Sequence, residues 1–162
     1  VAVVGAARRP LDENRFRQDM CEALKEFSRT GHGDSDTCDP FVSNIYYQQV
    51  RFDNAADYVL LKKRLDTIET DLGGSGNRLY YMASAPEFFA PITRNLGNAG
   101  CVYPPGGTPW SRIVVEKPFG FDLESAKKLN ADISSVLDES QIFRIDHYLG
   151  KETVQNLSLI PI

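Results

Sequence analysis

Short apolar runs rich in β-branched residues alternate with amphipathic helical segments along the chain, and this alternation limits the fold more than any other feature. Val1 to Val4 is wholly apolar and ends in Gly5, the pattern of a strand buried in a parallel sheet. Asp12 then stands where it can cap a helix whose Phe16, Met20, Ala23, Leu24 and Phe27 share one face. Thr30 to Asn44 reads as a long loop with a helical turn at Phe41 and Val42. A second strand is predicted over Ile45 to Phe52, and Asp53 caps a helix carrying Tyr58, Leu61, Leu65, Ile68 and Leu72, which stops at the glycine-rich Gly73 to Asn77. Arg78 to Met82 is a third, short buried strand; Ala83-Ser84-Ala85-Pro86 turns, and Glu87 to Leu96 is a helix ended by Gly97. Pro104 to Pro109 forms a stiff surface loop, and Ser111 to Val115 is the fourth strand. Asp122 caps a helix through Leu123, Ala126, Leu129, Ile133, Val136 and Leu137, before a last short strand at Ile142 and Phe143.

Strands that alternate with helices build an α/β fold. The expected architecture is an incomplete doubly wound, mostly parallel sheet with helices on both faces. A length of 162 residues with 42% apolar composition supports one domain. A chain that opens on a strand leads us to expect that the true N-terminus lies upstream. The net charge of -4 without a basic stripe argues against a nucleic-acid partner, whereas an anionic small molecule needs only a few local cations. Cys21, Cys38 and Cys101 are widely spaced with no C-x-x-C pair. They therefore point to no metal site and no disulfide framework, and a reducing cytoplasm fits best. No apolar run reaches the length of a membrane span, and the opening residues lack the charged flank of a signal peptide.

In open parallel sheets, ligands sit beyond the carboxyl ends of the strands. Four segments occupy that position. Gly5-Ala6-Ala7-Arg8-Arg9 ends a strand in arginines where an NAD-binding chain places an acidic residue, and arginine there suits a 2′-phosphate, so the charge points to NADP. The alternative is that Arg8 and Arg9 only face solvent at a turn. Ala83 to Pro86 is the second segment. Lys117, between Glu116 and Pro118, is the third: either a fixed donor for sugar hydroxyls or phosphate, or a surface Lys-Glu pair. The fourth, Arg144-Ile145-Asp146-His147-Tyr148, runs on through Gly150 to Lys151. His147 and Lys151, four apart, present two cations to one dianion if the turn is already helical. Asp146 is adjacent to His147, and in an extended segment the two side chains diverge, so Asp146 orients some other group. Taken alone, His147 also reads as a core histidine satisfied by backbone.

Arg144 to Glu152 stands as the signature of glucose-6-phosphate dehydrogenases, and the chain resembles that family over nearly its whole length. Val3 to Arg8, Gly76 to Pro86 and Val115 to Gly120 fall in the family's order and spacing. The resemblance implies a partial NADP-binding, Rossmann-like domain over residues 1–157. The implied reaction, a step of the pentose phosphate pathway, is hydride transfer from C1 of glucose 6-phosphate to NADP, giving 6-phosphogluconolactone. It further implies that His147, Tyr148 and Lys151 hold the substrate phosphate, that Lys117 contacts substrate near the nicotinamide, and that Arg8 with Arg9 holds the 2′-phosphate. The turn with Ala83, Ala85 and Pro86 would line the cofactor cleft beside Lys117 and Pro118, the latter at the place of a cis proline. Asp146 would partner a catalytic base histidine.

The chain departs from the family pattern in three ways. The glycine-rich phosphate turn, G-x-x-G-D-L in form, is missing, and so is the second domain with the base histidine and the surface through which the family's homo-oligomers form. Residues 158–162 make an atypical tail. The expectation is a fragment with no dehydrogenase activity of its own. A non-catalytic sugar-phosphate-binding module or pseudoenzyme is the alternative. An oxidoreductase of the Glu-Lys-Pro type acting on free sugars fits less well, because it has no need of His147 and Lys151 as phosphate cations.

Overall fold

The structure, a computed structural model, describes residues 1–28 and 41–145. They divide into two compact units, Val1–Leu72 and a second that begins at Gly73.

In the first unit, β1 (Val3–Ala7) is followed by α1 (Glu13–Phe27), β2 (Ile45–Gln49) and α2 (Ala55–Asp71). Asp12 caps α1 as predicted, its carboxylate accepting from the backbone N–H groups of Asn14 and Arg15 at 2.9 and 3.2 Å. β1 and β2 pair in parallel, from Val3 opposite Ile45 to Ala7 opposite Gln49. Phe16, Met20, Cys21 and Leu24 of α1 pack on Val42 and Ile45. Phe27, the last member of the predicted apolar series, is exposed instead. β2 stops at Gln49, short of the predicted Phe52. The cap of α2 is Asn54, not Asp53: its side chain accepts from the N–H of Ala56, and the turn from Arg51 O to Asn54 N places it at the helix entry. Cys21 is disulfide-bonded, contrary to what the cysteine spacing led us to expect. Spacing alone cannot show which cysteines a fold brings within reach.

The second unit holds β3 (Arg78–Met82), α3 (Phe89–Asn98), β4 (Ser111–Glu116), α4 (Leu123–Ser134) and β5 (Ile142–Ile145). Its sheet has the order β3-β4-β5, and both pairings are parallel. The predicted parallel α/β class is therefore the observed one, with the strands shared between a two-stranded and a three-stranded sheet. Met82, Ile113, Val115 and Ile142 of the three-stranded sheet form one core with Phe89, Ile133 and Leu137. β3 is not buried throughout, because its residues alternate: Leu79 and Tyr81 project from the other face and are exposed. α3 is entered through a 3-10 turn at Pro86–Phe88 and runs past Gly97 to Asn98. Gly97 lies within the helix rather than ending it, and a Cβ there would meet Val136 Cγ1 at 2.5 Å. α4 ends at Ser134, and Leu137 beyond it is still buried.

Candidate functional site

Parallel pairing places the carboxyl ends of neighbouring strands at one edge of each sheet. In the first unit that edge carries the turn after β1. Arg8 and Arg9 are both exposed there, and the Arg8 guanidinium lies 5.5 Å above the centre of the Phe52 ring. The backbone of this turn is held from β2. Val50 N–H donates to Ala7 O at 2.9 Å, the Gln49 amide donates to Arg8 O at 3.0 Å, and the Tyr47 hydroxyl donates to Arg9 O and, at 3.4 Å, to Ala7 O. Tyr47 rests its ring on Phe16, with 5.1 Å between centroids. Burial raises its pKa above the ordinary 10, against an opposing pull from Arg9, so the phenol remains a donor at neutral pH.

In the second unit Met82 pairs with Val115 and Glu116 with Ile145. The residues that follow these strands, Ala83 to Pro86 and Lys117-Pro118, therefore leave the sheet at the same edge. Ala83 and Ala85 are exposed and Pro86 is half-buried, opening the turn into α3. Ser84 is half-buried too, and its hydroxyl has no hydrogen-bond partner among the described residues. Lys117 and Pro118 are exposed, and the peptide bond between them is cis. Just ahead of Lys117, the Tyr81 hydroxyl donates to the Glu116 carboxylate, and that hydrogen bond raises the pKa of the phenol. Gly120, at φ 144°, lets the chain turn into the Asp122 capping box of α4, where Asp122 accepts from Ser125 N–H at 2.8 Å.

The structure thus brings Ala83, Ala85, Pro86, Lys117 and Pro118 to one edge of the three-stranded sheet, and sets Arg8 and Arg9 at the exit of β1. The roles expected of Asp146, His147, Tyr148 and Lys151 fall on residues outside those described. Sequence reasoning missed Tyr47, Gln49 and Tyr81. The signal for the first two lay in their spacing, because residues two apart on a strand share a face. Using it requires knowing that β2 runs beside β1. No helix among the described residues is long and apolar enough to cross a membrane.

Residues 1–156 match the family described as glucose-6-phosphate dehydrogenase, NAD binding domain. The chain is 40% identical over 159 residues to the glucose-6-phosphate 1-dehydrogenase of Chlamydia muridarum, covering 97% of this chain and 31% of that protein. It is 41% identical over 159 residues to the Bacillus subtilis enzyme of the same name, covering 98% of this chain and 31% of that one. Among solved structures, a glucose-6-phosphate dehydrogenase in complex with its substrate glucose-6-phosphate superposes with a TM-score of 0.80 at 33% identity, over 96% of this chain and 31% of the other. The glucose-6-phosphate 1-dehydrogenase of Mycobacterium avium gives a TM-score of 0.76 at 33% identity, over 95% of this chain and 30% of that one. The chain therefore spans about a third of the length of the relatives it matches.

Proposed function

The chain belongs to the glucose-6-phosphate dehydrogenase family, and from that premise we propose that it is the dinucleotide-binding part of an enzyme that oxidises glucose 6-phosphate at C1 with NADP. The product of that reaction is 6-phosphogluconolactone. The observation that carries the choice of NADP is the pair Arg8 and Arg9 at the exit of β1, on a backbone held from β2. Two guanidinium groups match a dianionic 2′-phosphate in charge and in hydrogen-bond geometry. At the other sheet, the small side chains of Ala83 and Ala85 beside Pro86 let a nucleotide approach the backbone at the entry to α3.

Bound NADP would supply the hydride acceptor, and the residues of this chain bind and orient. Lys117, on a backbone fixed by Pro118, donates to the substrate near the nicotinamide. His147, Tyr148 and Lys151 hold the substrate phosphate. Asp146 orients a base histidine that is neither His32 nor His147, so a polypeptide of these 162 residues carries part of the site only. General-base catalysis contributes roughly a hundred- to ten-thousand-fold, and this polypeptide alone is expected to form no measurable NADPH.

Equilibrium titration of the chain with NADP and NAD tests the cofactor reading. NADP should bind more tightly, and Arg8→Ala should weaken NADP roughly tenfold or more while leaving NAD unaffected, as expected for loss of charge-assisted hydrogen bonds. Equal affinities in the unsubstituted chain would overturn it. Titration with glucose 6-phosphate and glucose tests the substrate in the same way, and equal affinity would favour a free-sugar enzyme.

A further inference from the structure

We propose that Tyr47 and Gln49 are positioning residues that set the preference of this chain for a 2′-phosphorylated adenosine, acting through the backbone of the arginine turn. This rests on the reading of Arg8 and Arg9 as the 2′-phosphate ligands. The two side chains lie on the same face of β2, two residues apart, and reach the carbonyl groups of consecutive residues, Gln49 that of Arg8 and Tyr47 that of Arg9. Arg9 lies beyond the last ladder pair, Ala7 with Gln49. The ladder of β1 and β2 therefore does not fix its peptide, and the Tyr47 hydroxyl does so in its place.

Tyr47 is itself well anchored. Its N–H donates to the Glu13 carboxylate at 3.2 Å, and that carboxylate also accepts from Arg64 at 2.7 Å and pairs with Arg17 at 3.0 Å. Its ring meets Phe16, and Phe16 fills the space over Gly5, where an added Cβ would lie 2.7 Å from the ring. The charge acting on the phenol is that of Arg9, in the turn after β1, while Glu13 and Arg17 from α1 and Arg64 from α2 gather at the backbone N–H of Tyr47. With both carbonyls bonded to side chains of β2, the backbone that carries Arg8 and Arg9 is fixed before any ligand arrives. Preorganised donors bind more tightly than donors that must be ordered on binding.

The test compares binding of 2′,5′-ADP with that of 5′-AMP, two probes that share the adenosine and the 5′-phosphate and differ only in the 2′-phosphate. The proteins are the unsubstituted chain, Tyr47→Phe, Gln49→Ala and Arg8→Ala. Tyr47→Phe keeps the ring on Phe16 and removes only the donor, and thermal unfolding confirms that each variant folds. Loss of one hydrogen bond predicts that Tyr47→Phe and Gln49→Ala each weaken 2′,5′-ADP roughly two- to tenfold, with 5′-AMP unchanged. A purely structural role would move both probes together, and that result overturns the proposal. So does an unchanged ratio of the two affinities in Tyr47→Phe and Gln49→Ala when Arg8→Ala abolishes it. If Arg8→Ala also leaves the ratio unchanged, or the unsubstituted chain shows no preference, the assignment of the arginines fails and this proposal fails with it.

Discussion

Gly120 holds a backbone conformation that other residues rarely adopt, at φ 144°, and a Cβ there would lie 2.6 Å from the backbone nitrogen of Ala126. That contact is with backbone and does not relax by a side-chain rotation. Gly120→Ala is therefore expected to lower stability by about 1–3 kcal/mol, read from urea unfolding, with most of the cost in the junction between Lys117-Pro118 and α4. A second residue responds to pH. Hydrogen bonds from Arg51, by its side chain at 2.9 Å and by its backbone at 2.9 Å, hold the Asp57 carboxyl at about 2, below its ordinary 3.8. A depressed folded pKa gives stabilisation that is complete above the unfolded value near 4 and disappears as pH falls through 2. Asp57→Asn should thus unfold at lower urea concentration than the unsubstituted chain at pH 7, and the difference should narrow as pH falls from 4 through 2. A difference that stays constant over that range would assign the effect to lost packing. Of these residues the sequence makes some legible and others not. Asp12 and Asp122 stand before periodic apolar runs and were readable as caps, whereas Asp53 and Asn54 are adjacent candidates, and only the path of the Arg51–Asn54 turn decides between them.

Elements were legible where periodicity ran long. α1, α2 and the five strands lie where apolar spacing placed them, with ends shifted by a few residues. What periodicity does not contain is the distance between elements. An isolated glycine after an apolar run reads as a stop, which puts Gly97 at the end of α3, but it is internal, at the place where Val136 comes closest. Its function is to let the segment after α4 approach α3. Gly97→Leu should destabilise by about 1–3 kcal/mol, the usual cost of overpacking. Val136→Ala, itself mildly destabilising, should recover part of that loss. A double-mutant cycle measures the coupling as a deviation from additivity, and strict additivity would show that the two positions do not share the space.

For the molecule as a whole, the carboxyl-edge rule singles out Arg8, Arg9, Ala83 to Pro86 and Lys117 because it needs only parallel strands, and these residues do follow the strand ends. Tyr47, Gln49 and Tyr81 escaped, since their contacts depend on which strand lies beside which and in what register. The same register exposes a liability. All-parallel sheets normally carry cover on both faces, yet the three-stranded sheet meets its core on one face, while Leu79, Tyr81, Phe143 and Ile145 on the other are 59, 54, 43 and 38% exposed. Exposed apolar surface of this kind drives association. The chain alone is expected to self-associate with rising concentration, as read by sedimentation velocity. Leu79→Thr with Phe143→Thr keeps two residues that favour strands and removes apolar surface, so this double variant should sediment as a smaller species at the same concentration without losing its unfolding transition. Unchanged sedimentation would place the association elsewhere on the surface. The choice of positions matters, because Tyr81 is left in place to hold Glu116 beside Lys117. A change in solubility can then be separated from a change in the site.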